Sequence, residues 1–240
     1  PDQLNPVAMS FTVLPGGKDW GFLEFVGAST PARHFDFDTL EPSLAAPGER
    51  ADTVLRTVAG SLVAGHVVGI GDRHQDNIMI REIDGKHVFW QLDFKHVFGH
   101  KTRVDARPIA VPEGLRKVLE RTGRWQEVKM LCSHAFLVLR RSAPLITQMS
   151  RALFVEHGGT RDEDVQRYLQ HAFMLHATEV VAAAELVEEV ETSSGSFSKR
   201  FKDLTHDISM AQKAKAKERA ESNASADALV LQGSFQTMDS

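Results

Sequence analysis

The pair Asp84-Gly85 constrains this chain more than any other two residues. It separates two strand-like runs, Asn77-Ile78-Met79-Ile80 and Val88-Phe89-Trp90-Gln91-Leu92, and Asp-Gly is the turn that closes a two-residue hairpin. With Asp84 and Gly85 as the whole loop, Asn77 falls opposite Leu92 and Asp76 falls opposite Asp93. Asn77 and Asp93 therefore leave the same end of one hairpin spanning about 77–94. Immediately before it stands Gly69-Ile70-Gly71-Asp72-Arg73-His74-Gln75-Asp76. An amide and a carboxylate brought together this way suit a hard cation such as magnesium, which prefers oxygen ligands.

The spacing has a chemical meaning. Phosphoryl transfer depends on positioning and on neutralising charge. One carboxylate orients the attacking hydroxyl, while an amide and a second carboxylate hold magnesium against the phosphates. Kinases place the first two in a D-x-x-x-x-N loop and the third in an Asp-Phe pair further on. Asp72 and Asn77 have that spacing, and Asp93-Phe94 follows. D-x-x-x-x-N alone arises by chance, and such residues are also ordinary in polar turns. The full order of loop, strand, Asp-Gly turn, strand and Asp-Phe is much more specific.

The rest of the chain supplies a scaffold. Residues 9–26 read as a hairpin, with strands 9–14 and 20–26 and a turn at Pro15-Gly16-Gly17-Lys18-Asp19. That Gly-Gly-Lys is not a phosphate loop, because Asp19 stands where Ser or Thr is required. Residues 27–50 are loop-rich. Helices are predicted over 52–68, ended by Gly69, and over about 126–141, 143–154, 161–176 and 178–191. A break at Ser193-Ser194-Gly195-Ser196 precedes a basic amphipathic helix with Phe197, Phe201, Leu204 and Ile208 on one face. It suits either a membrane surface or its own domain. From about 213 the chain is polar and Ser/Ala-rich, which predicts a disordered tail or linker.

Composition narrows the classes. A net charge of −4 argues against a nucleic-acid-coating protein. The single cysteine, Cys132, forms no internal disulfide, lies in an apolar run, and suits a reducing compartment. No apolar stretch approaches the roughly 20 residues of a membrane span. His96 and His100 are four apart near Asp93, but Gly99 and the loop character argue against a shared zinc face. The chain opens on Pro1, and the expectation is a piece of something longer.

Gly69-Ile-Gly-Asp-Arg-His-Gln-Asp-Asn-Ile-Met-Ile80 closely resembles the catalytic loop of phosphatidylinositol 3-kinases. Gln91-Leu-Asp-Phe-Lys-His-Val-Phe-Gly99 resembles their metal-binding segment, Trp20-Gly-Phe-Leu-Glu-Phe-Val26 is similar to their adenine-holding hinge, and Ala135-Phe-Leu-Val-Leu-Arg-Arg141 is similar to a large-lobe helix. The resemblance implies a role for each matched residue. Asp72 and His74 would act on the lipid hydroxyl, and Asn77 and Asp93 would bind Mg2+, or Mn2+ in its place. The Glu24 carbonyl and the Val26 amide would bond the adenine of ATP, with Met79 and Leu92 below the ring. Residues 95–111 would read the lipid headgroup through Lys101, Arg103 and Arg107, cations suited to an anionic membrane.

The implied fold class is α+β. A mostly helical kinase-like large lobe at 27–212 carries a short two-stranded active-site hairpin, after the end of a truncated small lobe and hinge at 1–26 and before the tail at 213–240. The implied reaction is ATP-dependent phosphorylation of the inositol ring of a phosphatidylinositol lipid by a cytoplasmic, peripherally membrane-bound enzyme, with upstream domains and a regulatory subunit as partners and no nucleic acid. Two departures from the pattern keep alternatives open. Lys95 replaces the glycine that usually follows Asp-Phe, and no Gly-rich phosphate cover or strand lysine precedes Glu24. The isolated chain is therefore expected to be inactive. A pseudokinase scaffold and a protein Ser/Thr kinase of the same superfamily are the competing readings.

Overall fold

The computed structural model describes residues 6–17, 20–94, 96–98, 109–155 and 161–193. The chain divides into two units, Pro1–Ser198 and Lys199–Ser240, and every described residue belongs to the first. The tail at 213–240 and the basic helix from Phe197 lie outside the described residues.

The front hairpin is shorter than its pattern suggests. Strands β1 (Val13–Pro15) and β2 (Gly21–Leu23) pair antiparallel as a separate two-stranded sheet. The Gly16 and Gly17 N–H groups both donate to the Trp20 carbonyl, which closes the turn. Upstream, Val7 N–H donates to the Arg56 carbonyl at 3.1 Å. This crossing needs Gly60, where a Cβ would stand 2.3 Å from the Val7 carbonyl oxygen.

The expected loop at 27–50 holds more structure than its composition shows. Strand β3 (Ser29–Pro31) is followed by a 3-10 turn at Phe37–Leu40 and a one-turn helix, α1 (Glu41–Leu44). The Asp36 side chain caps the 3-10 turn by accepting the Asp38 N–H. These pieces are too short to leave a periodic signature.

Helix α2 (Glu49–Val68) is the central element. Val54, Leu55, Val58, Leu62 and Val63 are all buried, each worth about 1.5–3 kcal/mol of apolar transfer. Small residues at Ala59, Gly60 and Ser61 let neighbours approach closely. Gly69 stops the helix with φ 65°, its N–H on the Gly65 and His66 carbonyls. A Cβ there would also meet the Tyr168 ring at 2.4 Å.

Strands β4 (Ile78–Ile83) and β5 (Lys86–Gln91) form the predicted hairpin in the predicted register, with Ile78 opposite Gln91 and Ile83 opposite Lys86. Asp84 and Gly85 take φ 51° and 72°, the left-handed pair a tight hairpin turn requires. The expected two-stranded sheet is in fact three-stranded, because β3 pairs with β4. Pro31 is tolerated there because β3 is an edge. The other edge is covered: Thr57 Oγ1 accepts the Phe89 N–H at 3.0 Å, and Ser61 Oγ donates to the Phe89 carbonyl at 3.2 Å. Helix α2 thus holds the hairpin by its backbone.

Behind α2 lie α3 (Glu113–Arg121), α4 (Trp125–Arg141), α5 (Ala143–Ser150), a π turn at Arg151–Val155, α6 (Asp162–Ala172) and α7 (Glu179–Thr192). Helix α3 was not anticipated, although Leu115, Val118 and Leu119 mark one buried face. The predicted helix over 143–154 loses its α geometry after Ser150, and the one over 161–176 ends at Ala172. Helix α4 lies between α2 and α7, with Cys132 and Phe136 fully buried. Burial pushes the Cys132 thiol up to about 12, which leaves it an inert core group.

Candidate active site

Two tight turns build the loop between α2 and β4. His74 N–H donates to the Asp72 carbonyl, and Asn77 N–H to the His74 carbonyl, each at 3.0 Å. Asp72 itself adopts φ 57°, and Asp93 adopts φ 62°. A non-glycine residue in the left-handed region pays about 1–2 kcal/mol, and Asp is one of the few types that visits it. Backbone strain of this kind gathers at functional sites. The Asn77 side-chain N–H donates to the Asp72 carbonyl at 3.1 Å. That bond uses the nitrogen end of the amide and leaves its oxygen for other partners. Across the hairpin end, Leu92 N–H donates to the Asn77 carbonyl at 3.1 Å. Asn77 and Asp93 therefore emerge side by side, as the register requires.

The two segments are tied together by a residue whose role the sequence did not reveal. Arg73 is 3% exposed. Its guanidinium donates to the carbonyls of Gly71 and Leu92 at 2.8 Å, of Asn77 at 3.4 Å, and of Asp93. Burial pulls its pKa down to about 10, against the opposing pull of the Asp93 and Asp72 carboxylates, so it is charged at neutral pH. Gly71 N–H also donates to the His96 carbonyl, and Phe98 N–H to the Val68 carbonyl, both at 2.8 Å. The loop at 69–77 and the segment after β5 form one braced piece.

His74 sits within a line of charges. Its Nε2 lies 4.0 Å from Asp72 Oδ2, its Nδ1 lies 3.6 Å from Asp76 Oδ2, and Arg33 donates to Asp76 Oδ1 at 2.8 Å. The imidazole is nearly enclosed and the Asp72 side chain is partly open, at 11% and 39% exposure. A hydroxyl arriving at Asp72 would meet a carboxylate acceptor backed by an imidazole.

Alternation along the strands puts Met79, Trp90 and Leu92 on one face of the hairpin, opposite the buried Ile78, Ile80 and Phe89. Phe11 packs edge-on against Trp90, with centroids 5.5 Å apart, and stacks on Phe94 at 6.0 Å. The front segment therefore meets the Asp93-Phe94 pair directly. In the segment that resembles the adenine-holding hinge, neither the Glu24 carbonyl nor the Val26 N–H has a hydrogen-bond partner among the described residues. Unpaired main-chain groups two residues apart suit the edge of a purine.

Lys95, Lys101, Arg103 and Arg107 lie outside the described residues. Among the described residues, no cluster of three or more His, Cys, Asp or Glu could hold a metal by itself. The Asn77–Asp93 pair still fits magnesium, which is usually bound through one or two protein oxygens, with phosphate and water completing its shell.

Comparisons with known proteins give the family. The family described as phosphatidylinositol 3- and 4-kinase matches residues 29–160, more than half of the chain. The chain belongs to that family. Among individual relatives, it is 26% identical over 226 residues to a phosphatidylinositol 4-phosphate 3-kinase C2 domain-containing subunit alpha from Pongo abelii, an alignment covering 82% of this chain and 13% of that protein. It is 29% identical over 166 residues to the phosphatidylinositol 3-kinase VPS34 of Arabidopsis thaliana, covering 62% of this chain and 20% of the relative. It is 33% identical over 114 residues to the phosphatidylinositol 3-kinase age-1 of Caenorhabditis elegans, covering 42% and 9%. The chain thus spans a fifth or less of the length of these relatives.

Proposed function

We propose that this chain carries the nucleotide- and metal-binding hairpin and the catalytic loop of a lipid kinase that moves the γ-phosphoryl group of ATP to an inositol hydroxyl of a phosphatidylinositol lipid. The observation that carries the reading is the convergence of Asp72, Asn77 and Asp93 at one end of a hairpin clamped by Arg73. Family membership supports the lipid substrate over a protein substrate.

Each residue has a physical task in this reading. The Glu24 carbonyl and Val26 N–H take the adenine edge, and Met79 and Leu92 lie below the ring. The Asn77 amide oxygen and the Asp93 carboxylate hold magnesium, which when bound neutralises phosphate charge. Asp72 orients the inositol hydroxyl and accepts its proton, with His74 steadying the local charge. The inositol oxygen bonds to the γ-phosphorus, the bond from that phosphorus to the β,γ-bridging oxygen breaks, and ADP departs. Lys101, Arg103 and Arg107 draw the loop to an anionic headgroup at a membrane surface. Among the described residues no helix is long and apolar enough to cross a membrane.

The test is transfer of label from γ-labelled ATP to phosphatidylinositol in mixed vesicles, with the lipid product separated chromatographically. Labelled lipid that disappears with chelation and in Asp93→Ala supports the reading. Transfer to protein substrates and not to lipid, or no transfer by the full-length protein, overturns it.

A further inference from the structure

The front hairpin is irregular at one place. Thr12 and Glu24 continue the register in which Val13 opposes Leu23. An antiparallel hydrogen-bonded pair exchanges two main-chain bonds. Here only one of them forms: Glu24 N–H donates to the Thr12 carbonyl at 2.8 Å. The return bond goes elsewhere, because Thr12 N–H donates to the Glu24 carboxylate oxygen Oε2, also at 2.8 Å. The side chain of Glu24 thus occupies the donor that its own main-chain carbonyl would otherwise take.

We infer that the Glu24 carboxylate is a positioning group: by capturing the Thr12 N–H, it keeps the Glu24 main-chain carbonyl out of the β-ladder and free to accept a hydrogen bond from the exocyclic amino group of an adenine nucleotide. The inference rests on the nucleotide reading of the hinge given above. The carbonyl is one residue ahead of the 93%-exposed Phe25 and two ahead of Val26, whose N–H is also unpaired among the described residues. An ionised acceptor makes a stronger bond to an amide than a neutral carbonyl does, so the carboxylate outcompetes the ladder. The Thr12 backbone bond is the main cause holding the Glu24 carboxyl below its ordinary value, with the Arg81 charge on β4 adding to it. Arg81 has a buried Nε without a hydrogen-bond partner, and it leaves the carboxylate to Thr12.

The mechanism makes a selective prediction. Without the carboxylate, Thr12 N–H turns to the Glu24 carbonyl, the ladder gains a bond, and the carbonyl is drawn toward the partner strand and away from adenine. Only ligands carrying the 6-amino group are affected. The experiment compares magnesium-dependent binding of ATP and of purine riboside triphosphate, which lacks that group, to the full-length protein and to Glu24→Ala, Glu24→Asp and Glu24→Gln. One neutral hydrogen bond is worth about a two- to tenfold preference for ATP. That preference should be present in the native protein, fall to near unity in Glu24→Ala and Glu24→Asp, and persist in Glu24→Gln, whose amide oxygen still accepts from Thr12. Binding of the deaminated analogue should change little across the series, which a merely destabilising substitution would not allow. A preference retained in Glu24→Ala overturns the inference and leaves the kinase reading standing. A native protein that binds both triphosphates equally, or neither, overturns the adenine role of the hinge itself. Glu24 is exposed, so the substitutions act at the surface, and Glu24→Asp gives a second reading with the negative charge kept.

Discussion

Arg73 donates from its guanidinium to the main-chain carbonyl of Asp93, so the loop between α2 and β4 grips the segment after β5 by its backbone. The same side chain reaches Gly71, Asn77 and Leu92. A planar fork can serve several carbonyls at once, and a lysine ammonium cannot span them. Arg73→Lys is expected to cost about 1–3 kcal/mol through buried carbonyls left without donors. It should also weaken magnesium–ATP binding more than magnesium-free nucleotide binding. Thermal melts and calorimetric titrations check both effects. A lysine variant as stable as the native protein would show that the clamp is incidental.

Glu191 gives a pH prediction far from the site. Burial alone would raise its carboxyl. The bonds from Lys129, the Trp125 indole and Arg116 prevail and bring it down to about 2, from an ordinary 4.5. The folded pKa is the lower one, so this group's contribution to stability is fully present above about pH 4.5 and is lost as pH falls toward 2. Glu191→Gln should flatten the stability–pH curve within that window and leave its shape above pH 5 unchanged. Urea unfolding followed by tryptophan fluorescence measures this, because Trp125 is itself a partner at 3.0 Å. An unchanged slope between those pH values would mean that another carboxylate dominates acid unfolding.

Much of this was written in local pattern. The turn at Asp84-Gly85 sets the register of β4 and β5, and the long helices follow their apolar periodicity. The α-helical start at Ala143 was legible, but its passage into a π turn after Ser150 was not, because a single wider turn of five residues is too short to leave a period of its own. Strand β3 is three residues long and ends in Pro31, so it gave no alternation to read. Asp72, Asn77 and Asp93 were legible through spacing. Arg73 was not, because a lone arginine in a polar loop carries no sign that it will be buried against four carbonyls. The carboxylate of Glu24 was hidden for a related reason: its competition with a main-chain acceptor exists only once two strands have met.

The basic residues Lys101, Arg103 and Arg107 belong to the proposal through charge and family resemblance. Replacing all three with Ala should reduce lipid phosphorylation by up to about a hundredfold, at about 1 kcal/mol for each cation near an anionic surface. Basal ATP hydrolysis should be largely spared, and raising the salt concentration should shrink the difference. Equal loss of the two activities would assign the segment to the fold and not to the substrate.

Lys95 separates an enzyme from a scaffold. It stands where a glycine would allow a left-handed backbone that costs lysine about 1–3 kcal/mol. Retention of Asp72, His74, Asn77 and Asp93 together argues that Lys95 is tolerated. Lys95→Gly in the full-length protein should therefore leave turnover within a few-fold of native. An inactive native protein revived by the glycine would identify a pseudokinase.

The central claim is a division of labour at the hairpin end, with Asp93 on the metal and Asp72 on the hydroxyl. Measuring magnesium–ATP affinity and lipid phosphorylation side by side in Asp72→Ala and Asp93→Ala tests it most directly. Asp93→Ala should lose both metal-dependent binding and turnover. Asp72→Ala should keep native affinity while turnover falls by at least about a hundredfold, the usual scale for a positioned proton acceptor. Magnesium–ATP affinity that drops as far in Asp72→Ala as in Asp93→Ala would contradict the account.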